Sequence, residues 1–486
     1  MFNKKIIFRV LGSLLLIEAA LLTVCAIVGL AYHENVLGTF GLPIGASLAL
    51  ALLLKGLGHG ADSTMSRRDG YLTVTLSWVI FSIVGAIPIL LGGHEPRFSA
   101  AFFESMSGFT TTGATVLNGI DALPRSLLVW RSLMHWFGGL GIVFFTLAIL
   151  PSMGSGGDLK LFSAEATGLK MDKLHPRIGT TARWLWGVYL FLTVACATAY
   201  YLGGMSFFDA INHAFSTIAT GGFSTHQASF AYFNSPLLEV TASIFMLLSG
   251  INFTLVYLLI IKGRYGSVWR DSELRCFIAI IVTAVLAITV MLVASGRHPW
   301  LEALRLSFFN VISLQSSTGL TSNDIALWPQ ETWVILILIT AIGSCAGSTA
   351  GGIKCVRILT CIKIFIGEFR RALHPAAVLP VRLNGVAIAP GVFRSVFAFL
   401  VAYVVILLSS AFILLLMGLP LLDAFGITVT LLSNAGPAFG HQFTPLDTFS
   451  ALPDGALWLG SFLMLAGRLE IFSVLLPLAP SFWHDN

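Results

Sequence analysis

The sequence predicts an all-α polytopic membrane protein, with four pseudo-symmetric span–pore loop–span units around one central pore and an N-terminal helix pair before them. Three observations carry that prediction. The 486 residues are 56% hydrophobic and only 10% charged, with mean hydropathy +0.87, whereas a soluble domain carries about 25% charged residues. Long apolar runs recur along the chain, and a helix needs about 20 apolar residues to cross a bilayer. Between such runs a short, polar, glycine-bearing loop returns four times, around Gly113, Gly222, Gly319 and Gly436.

The apolar runs cover residues 6–31, 37–54, 71–91, 127–150, 184–202, 238–261, 277–294, 333–342 continuing through 353–366, 392–417 and 457–478. That is about ten spans by the length a bilayer demands. The first two form the helix pair (1–60). The other eight bracket the four loops, two to a loop, so the units fall at 61–155, 156–265, 266–375 and 376–486. The run 6–31 is too long for the apolar core of a cleavable signal, so none is expected.

Lys and Arg set the orientation. Lys4, Lys5 and Arg9 precede the first span, and Arg67 and Arg68 follow the second. Further clusters stand between the units: Lys160, Lys170, Lys173, Arg177 and Arg183; then Lys262, Arg264, Arg270 and Arg275; then Arg370, Arg371 and Arg382. The stretches 203–238 and 418–457 carry no positive charge. The positive-inside rule puts both termini and the inter-unit linkers in the cytoplasm. All four loops then enter from the outer side, whereas inverted repeats would alternate. The net charge of +5 follows from this topology and does not suggest nucleic acid.

The loops repeat in detail. Short apolar runs at 98–106, 207–218, 300–314 and 421–432 precede them. Two residues before the glycine stand Thr111, Thr220, Ser317 and Asn434. Twelve before it stand Ala101, Ala210, Ser307 and Ala424, and eleven before it Phe102, Ile211, Phe308 and Phe425. A selective cation pore replaces an ion's water with rings of backbone carbonyls. Glycine permits the backbone angles that point successive carbonyls one way. Short helices aimed inward present their partly negative C-termini to a cation. The ring would be Thr110, Thr111, Thr112 and Gly113; Ala219, Thr220, Gly221 and Gly222; Ser316, Ser317, Thr318 and Gly319; and Ser433, Asn434, Ala435 and Gly436. No acidic side chain lies in these segments, so selection would rest on carbonyl dipoles, with K⁺ held at the level of Thr111, Thr220, Ser317 and Asn434.

The motifs SGFTTTGAT, STIATGGFST, SLQSSTGLT and LSNAGPAFG around these glycines resemble the TrkH/TrkG/KtrB superfamily of potassium uptake proteins, most closely its bacterial TrkH type, over the full length. The resemblance implies a K⁺ filter lined by the four glycines, in a channel-like uptake protein of the bacterial inner membrane. It implies a homodimer and a cytoplasmic, nucleotide-binding TrkA-type partner, with no nucleotide bound by this chain. A serine at the first glycine marks sodium-permeable plant relatives; all four are glycine here.

A second constellation interrupts the run 333–366. Gly343, Ser344, Gly347, Ser348, Thr349, Gly351 and Gly352 crowd ten residues, and each glycine costs a helix about 1 kcal/mol relative to alanine. The resemblance implies an intramembrane gating loop; the alternative is a small-residue packing face. Arg468 lies in the last run, where an embedded arginine faces a cavity or partner. We expect it to hydrogen-bond carbonyls of the 343–351 segment and to raise a barrier to cations; a structural or snorkelling arginine is the alternative. Glu470, two residues on, points elsewhere on a helix.

Glu104, His213 and Asn310, each nine before its glycine, read as helix anchors. His135 and Asn252 read as structural groups within spans, and the six cysteines as small buried hydrophobes. The linkers 160–183 and 262–275 are either partner contacts or topology charges. With no nucleophile–base pair, metal cluster or phosphate loop, an enzyme is not expected. The alternative function is a secondary K⁺ symporter coupled to H⁺ or Na⁺, for which Glu470 and Glu239 are the candidate membrane carboxylates.

Overall fold

The computed structural model describes residues 3–61, 65–149, 178–374 and 380–484. The basic residues at 160–177 and the expected boundaries near 155 and 375 lie outside the described residues. The chain opens on a helical pair, α1 (Lys4–Ala31) and α2 (Leu42–Leu57). The pair packs closely enough at Gly12 that a Cβ there would meet the Ala51 carbonyl and the Lys55 side chain, both at 2.8 Å.

One order of elements then recurs four times: a long helix, a short helix of 12 or 16 residues, a loop and a further helix of 13 to 25 residues. The first set is α3 (Arg67–Leu91), α4 (Phe98–Phe109) and α5 (Arg125–Ile149). The second is α6 (Ile178–Leu202), α7 (Phe207–Ile218), α8 (Pro236–Gly250) and α9 (Phe253–Ile260). The third is α10 (Ser272–Ala294), α11 (Trp300–Gln315), α12 (Gln330–Ile342) and α13 (Cys355–Leu373). The fourth is α14 (Pro390–Leu416), α15 (Leu421–Leu432) and α16 (Asp454–Arg468). A two-stranded hairpin, β1 (Arg382–Leu383) with β2 (Val386–Ala387), precedes α14.

Burial separates the two kinds of helix. In α4 every residue from Ser99 to Phe109 is buried. By contrast, α14 turns Phe397, Val401, Val405, Leu408 and Phe412 outward, an apolar stripe at helical spacing. Large apolar side chains exposed in rows suit lipid. Among the described residues, six helices are long and apolar enough to span a bilayer, and eight if two bent pairs each count as one. That falls short of the ten spans expected from the apolar runs; α12 is a shorter apolar helix of 13 residues.

Two expected spans are broken. The run 238–261 bends by 113° between α8 and α9, because the Asn252 side chain caps a new helix at Thr254 N (2.8 Å). The run 457–478 bends by 118° after Arg468. There Glu470 and Ile471 both take positive φ, at 60° and 55°, a conformation that disfavours a β-branched residue. Arg468 therefore ends its helix instead of lying within it. The cysteines also divide: Cys25, Cys196, Cys345 and Cys355 are buried, while Cys276 and Cys361 are partly exposed.

Candidate functional site

The four short helices end alike. The amide one before each glycine donates to the carbonyl six before that glycine: Thr112 to Ser107 (2.9 Å), Gly221 to Ser216 (2.8 Å), Thr318 to Ser313 (2.8 Å) and Ala435 to Thr430 (3.0 Å). The amide two before it donates three residues back: Thr111 to Gly108 (3.1 Å), Thr220 to Thr217 (3.1 Å), Ser317 to Leu314 (3.0 Å) and Asn434 to Leu431 (3.3 Å). This pair of bonds is the Schellman ending, which puts its pivot residue in the left-handed region. The pivots are Thr111, Thr220, Ser317 and Asn434, with φ of 53°, 55°, 51° and 54°. None is glycine, so each carries about 1–2 kcal/mol of backbone strain. Two residues on, Gly113, Gly222, Gly319 and Gly436 return to positive φ, at 81°, 87°, 77° and 85°.

The glycines also lack room for a side chain. A Cβ on Gly113 would strike the carbonyl oxygen of Gly221; on Gly222, that of Thr318; on Gly319, that of Ala435; and on Gly436, that of Thr112. All four approaches fall below the 3.0 Å that real Cβ atoms keep. The chain of contacts runs from the first loop to the second, third and fourth and back to the first. The four glycines line one open cavity, together with His226, Gln227 and Asp447.

Side chains behind the loops hold them in place. Glu104 accepts the Val116 amide (2.8 Å) and the Thr115 hydroxyl (3.0 Å), and pairs with buried Arg131 (2.9 Å). His213 bonds Ser224 (3.0 Å), and Asn310 donates to Asn323 (2.8 Å). These three act as the anchors expected of them. A second register was missed: Ser107, Ser216, Ser313 and Thr430 all stand six before a glycine. Ser313 and Thr430 donate to the carbonyls just past their glycines, Leu320 and Pro437, both at 2.6 Å. The spacing alone would have revealed them. His135 stacks on Phe223 (centroids 4.1 Å apart) and meets Ser216 Oγ at 3.2 Å, but its Nε2 has no partner among the described residues.

In the cavity, His226 stacks on Tyr232 and faces Asp121 (2.7 Å) and Asp209 (3.5 Å). Burial pulls its pKa down, but the two carboxylates outweigh that and leave it above the ordinary histidine value.

The pivot side chains are mostly engaged. Asn434 Nδ2 donates to Thr112 Oγ1 (2.9 Å) and Met464 O (2.8 Å), Thr220 donates to Ala219 O (2.6 Å), and Ser317 Oγ accepts the Gly351 amide (2.6 Å). That last contact joins a filter-level residue to the glycine-rich segment 343–352. The segment is stitched at its base by Ile353 N to Ala341 O (3.0 Å) and Lys354 N to Ile342 O (2.9 Å). Ser344 donates to Gln315 O (2.8 Å), Thr349 to Ile218 O (3.1 Å) and Ser348 to Cys345 O (2.6 Å). Gly343, Gly347 and Gly352 all have positive φ. Arg468 donates to Thr349 O (2.5 Å) and to Gly138 O (2.9 Å). Glu470 instead pairs with Arg357. Glu239 pairs with Arg305 (3.4 Å). Four buried acidic residues in helices escaped the sequence reading: Glu18, Asp69, Glu273 and Asp423.

Residues 46–484 match the family described as TrkH, cation transport protein. The chain belongs to the TrkH family. It is 38% identical to the Trk system potassium uptake protein TrkH of Salmonella typhimurium, over 99% of both chains. It is 39% identical to the Trk system potassium uptake protein TrkG of Escherichia coli, over 86% of each. Among solved structures, the potassium transporter TrkH from Vibrio parahaemolyticus superposes with a TM-score of 0.90 at 35% identity, covering all of both chains. Membership of the TrkH family makes this a membrane transport protein.

Proposed function

We propose that this chain takes up K⁺ through a channel-like pore whose filter is the backbone around the four glycines. The observation that carries the reading is the closed cycle of glycine-to-carbonyl contacts, with matching left-handed pivots in all four loops. Alternating backbone angles of this kind turn successive carbonyls toward one line, where they replace the hydration shell of a cation. The pivots Thr111, Thr220, Ser317 and Asn434 contribute their backbone oxygens, since hydrogen bonds already occupy the side chains of the last three. Four quasi-equivalent units around one pore follow from the same cycle.

Segment 343–352 is the gate on this reading. Its supports are the Gly351–Ser317 bond, the Thr349–Ile218 bond and the two carbonyl bonds of Arg468. Arg468 adds a buried positive charge on the cation path, which opposes passage. The protein would sit in the bacterial inner membrane with both termini cytoplasmic, as a homodimer, regulated by a nucleotide-binding TrkA-type subunit. Relatives named as potassium uptake proteins support K⁺ as the cargo.

The test is ion flux in liposomes holding the purified chain. K⁺ should pass in preference to Na⁺, and Gly113→Ser should erode that preference at least several-fold while the protein still purifies. Equal K⁺ and Na⁺ flux in the wild type would refute the filter. Flux that requires a proton or sodium gradient would favour the symporter.

A further inference from the structure

Glu273 stands in the first turn of α10 and is buried. A single carboxylate oxygen, Oε1, accepts two backbone amides: Ala346 inside the glycine-rich segment (2.7 Å) and Val356 at the start of α13 (3.1 Å). The first amide lies within the segment and the second just beyond its end, in α13. One carboxyl oxygen therefore ties the segment and the helix that follows it to a third helix. Val356 N–H is also one of the helix-start donors that have no partner within their own helix.

The residues just before Glu273 are gripped from the other side. Asn384 Nδ2 donates to Asp271 Oδ2 (2.7 Å), and Asn384 Oδ1 accepts the Ser272 amide (2.7 Å). Asn384 and Gly385 form the turn of the β1–β2 hairpin, with φ of 46° and 80°. Two positive φ values and an Asn-Gly pair make the tight turn that matches strand twist. Leu383, on the same hairpin, is buried in one small apolar cluster with Ala346, Val356, Ile388, Val392 and Val396. The hairpin thus reaches the segment twice, through residues 271–273 and through shared packing. Its turn is exposed, beside the basic stretch 262–275 that it contacts at Asp271 and Ser272.

We propose that Glu273 is a positioning residue that latches segment 343–352 across the pore, and that the hairpin 382–387 is the handle through which the latch is released. This rests on reading that segment as the gate. A pull on the hairpin displaces Asn384, frees Asp271 and Ser272, and withdraws the carboxylate from Ala346 and Val356. The loop then keeps its side-chain bonds but loses the tie that joins it and α13 to α10.

The test uses the purified full-length chain in liposomes without a partner. It reads K⁺ flux, and peptide-resolved labelling of Cys345 by a membrane-impermeant maleimide. Cys345 is buried and should be protected in the wild type. Glu273→Ala should raise flux about ten-fold, the factor matching two lost hydrogen bonds of modest net strength, and should expose Cys345. Glu273→Gln keeps the acceptor oxygen and should recover most of both readouts. Asn384→Ala, at an exposed turn, should raise both by about three-fold, and serves if Glu273→Ala does not fold. A merely structural Glu273 would lower flux and yield in both Glu273 variants without changing labelling, which would overturn the proposal. Deleting residues 347–351 separates the two readings. If the deletion raises flux and the Glu273 and Asn384 variants do not, the segment is a gate and the latch is wrong. If the deletion leaves flux unchanged, the gate fails and the latch falls with it.

Discussion

At the residue scale, the site depends on positions where side-chain size and backbone angle conflict with ordinary preference. Gly222 takes φ of 87° and leaves no room beside the Thr318 carbonyl. Gly222→Ala should therefore abolish K⁺ flux in liposomes while leaving the long helices intact by circular dichroism. Arg468 is held by Thr349 O and Gly138 O and places a charge beside the segment. Arg468→Ala should raise basal flux at least about ten-fold, since both charge-assisted bonds are lost; unchanged flux in a well-folded variant counts against the barrier. His226 gives a pH prediction with a definite sign. Its pKa is raised on folding by Asp209 and Asp121, so the tie between the outer loops is fully present below about pH 6.5. It is lost as pH rises through the raised value. The stability advantage of wild type over His226→Gln, read by thermal unfolding in detergent, should be largest in acid and vanish in alkali.

At the element scale, the short helices were legible because their alignment survives residue by residue. Small residues stand twelve before each glycine, bulky ones eleven before, and a pivot two before. The common Schellman ending explains why the pivot position tolerates Thr, Ser and Asn: each takes the same left-handed angle and is locked by the same two backbone bonds. The broken spans were not legible. Ile251 and Phe253 continue an apolar run, and the only sign of a new helix is Asn252, a good N-cap residue within it. Its break is completed by a distant contact, Phe253 N to Gly347 O (3.0 Å). The bend after Arg468 has no glycine or proline; the Arg357–Glu470 pair braces it, and such pairing is invisible to local pattern. Asn252→Ala should cost about 1 kcal/mol of capping and loosen segment 343–352, seen as faster amide exchange at residues 345–349.

At the scale of the whole molecule, the helical membrane class followed from composition, because it is a sum over many residues, whereas hydropathy gave about ten spans and the described helices supply six to eight by length and composition. What composition could not reach is how the loops meet. The cycle from Gly113 through Gly222 and Gly319 to Gly436 depends on contacts between residues about a hundred or more apart in sequence. Glu104, buried against Arg131, illustrates the same gap: its place nine before a glycine was legible, but its arginine was not. The proposed pore is made by four segments of a single chain. The most direct test is a single-channel recording of the purified protein under bi-ionic K⁺ and Na⁺. Unitary currents that reverse at a potential favouring K⁺ are the predicted result. An absence of unitary currents, with slow uptake that follows a proton or sodium gradient, would contradict it.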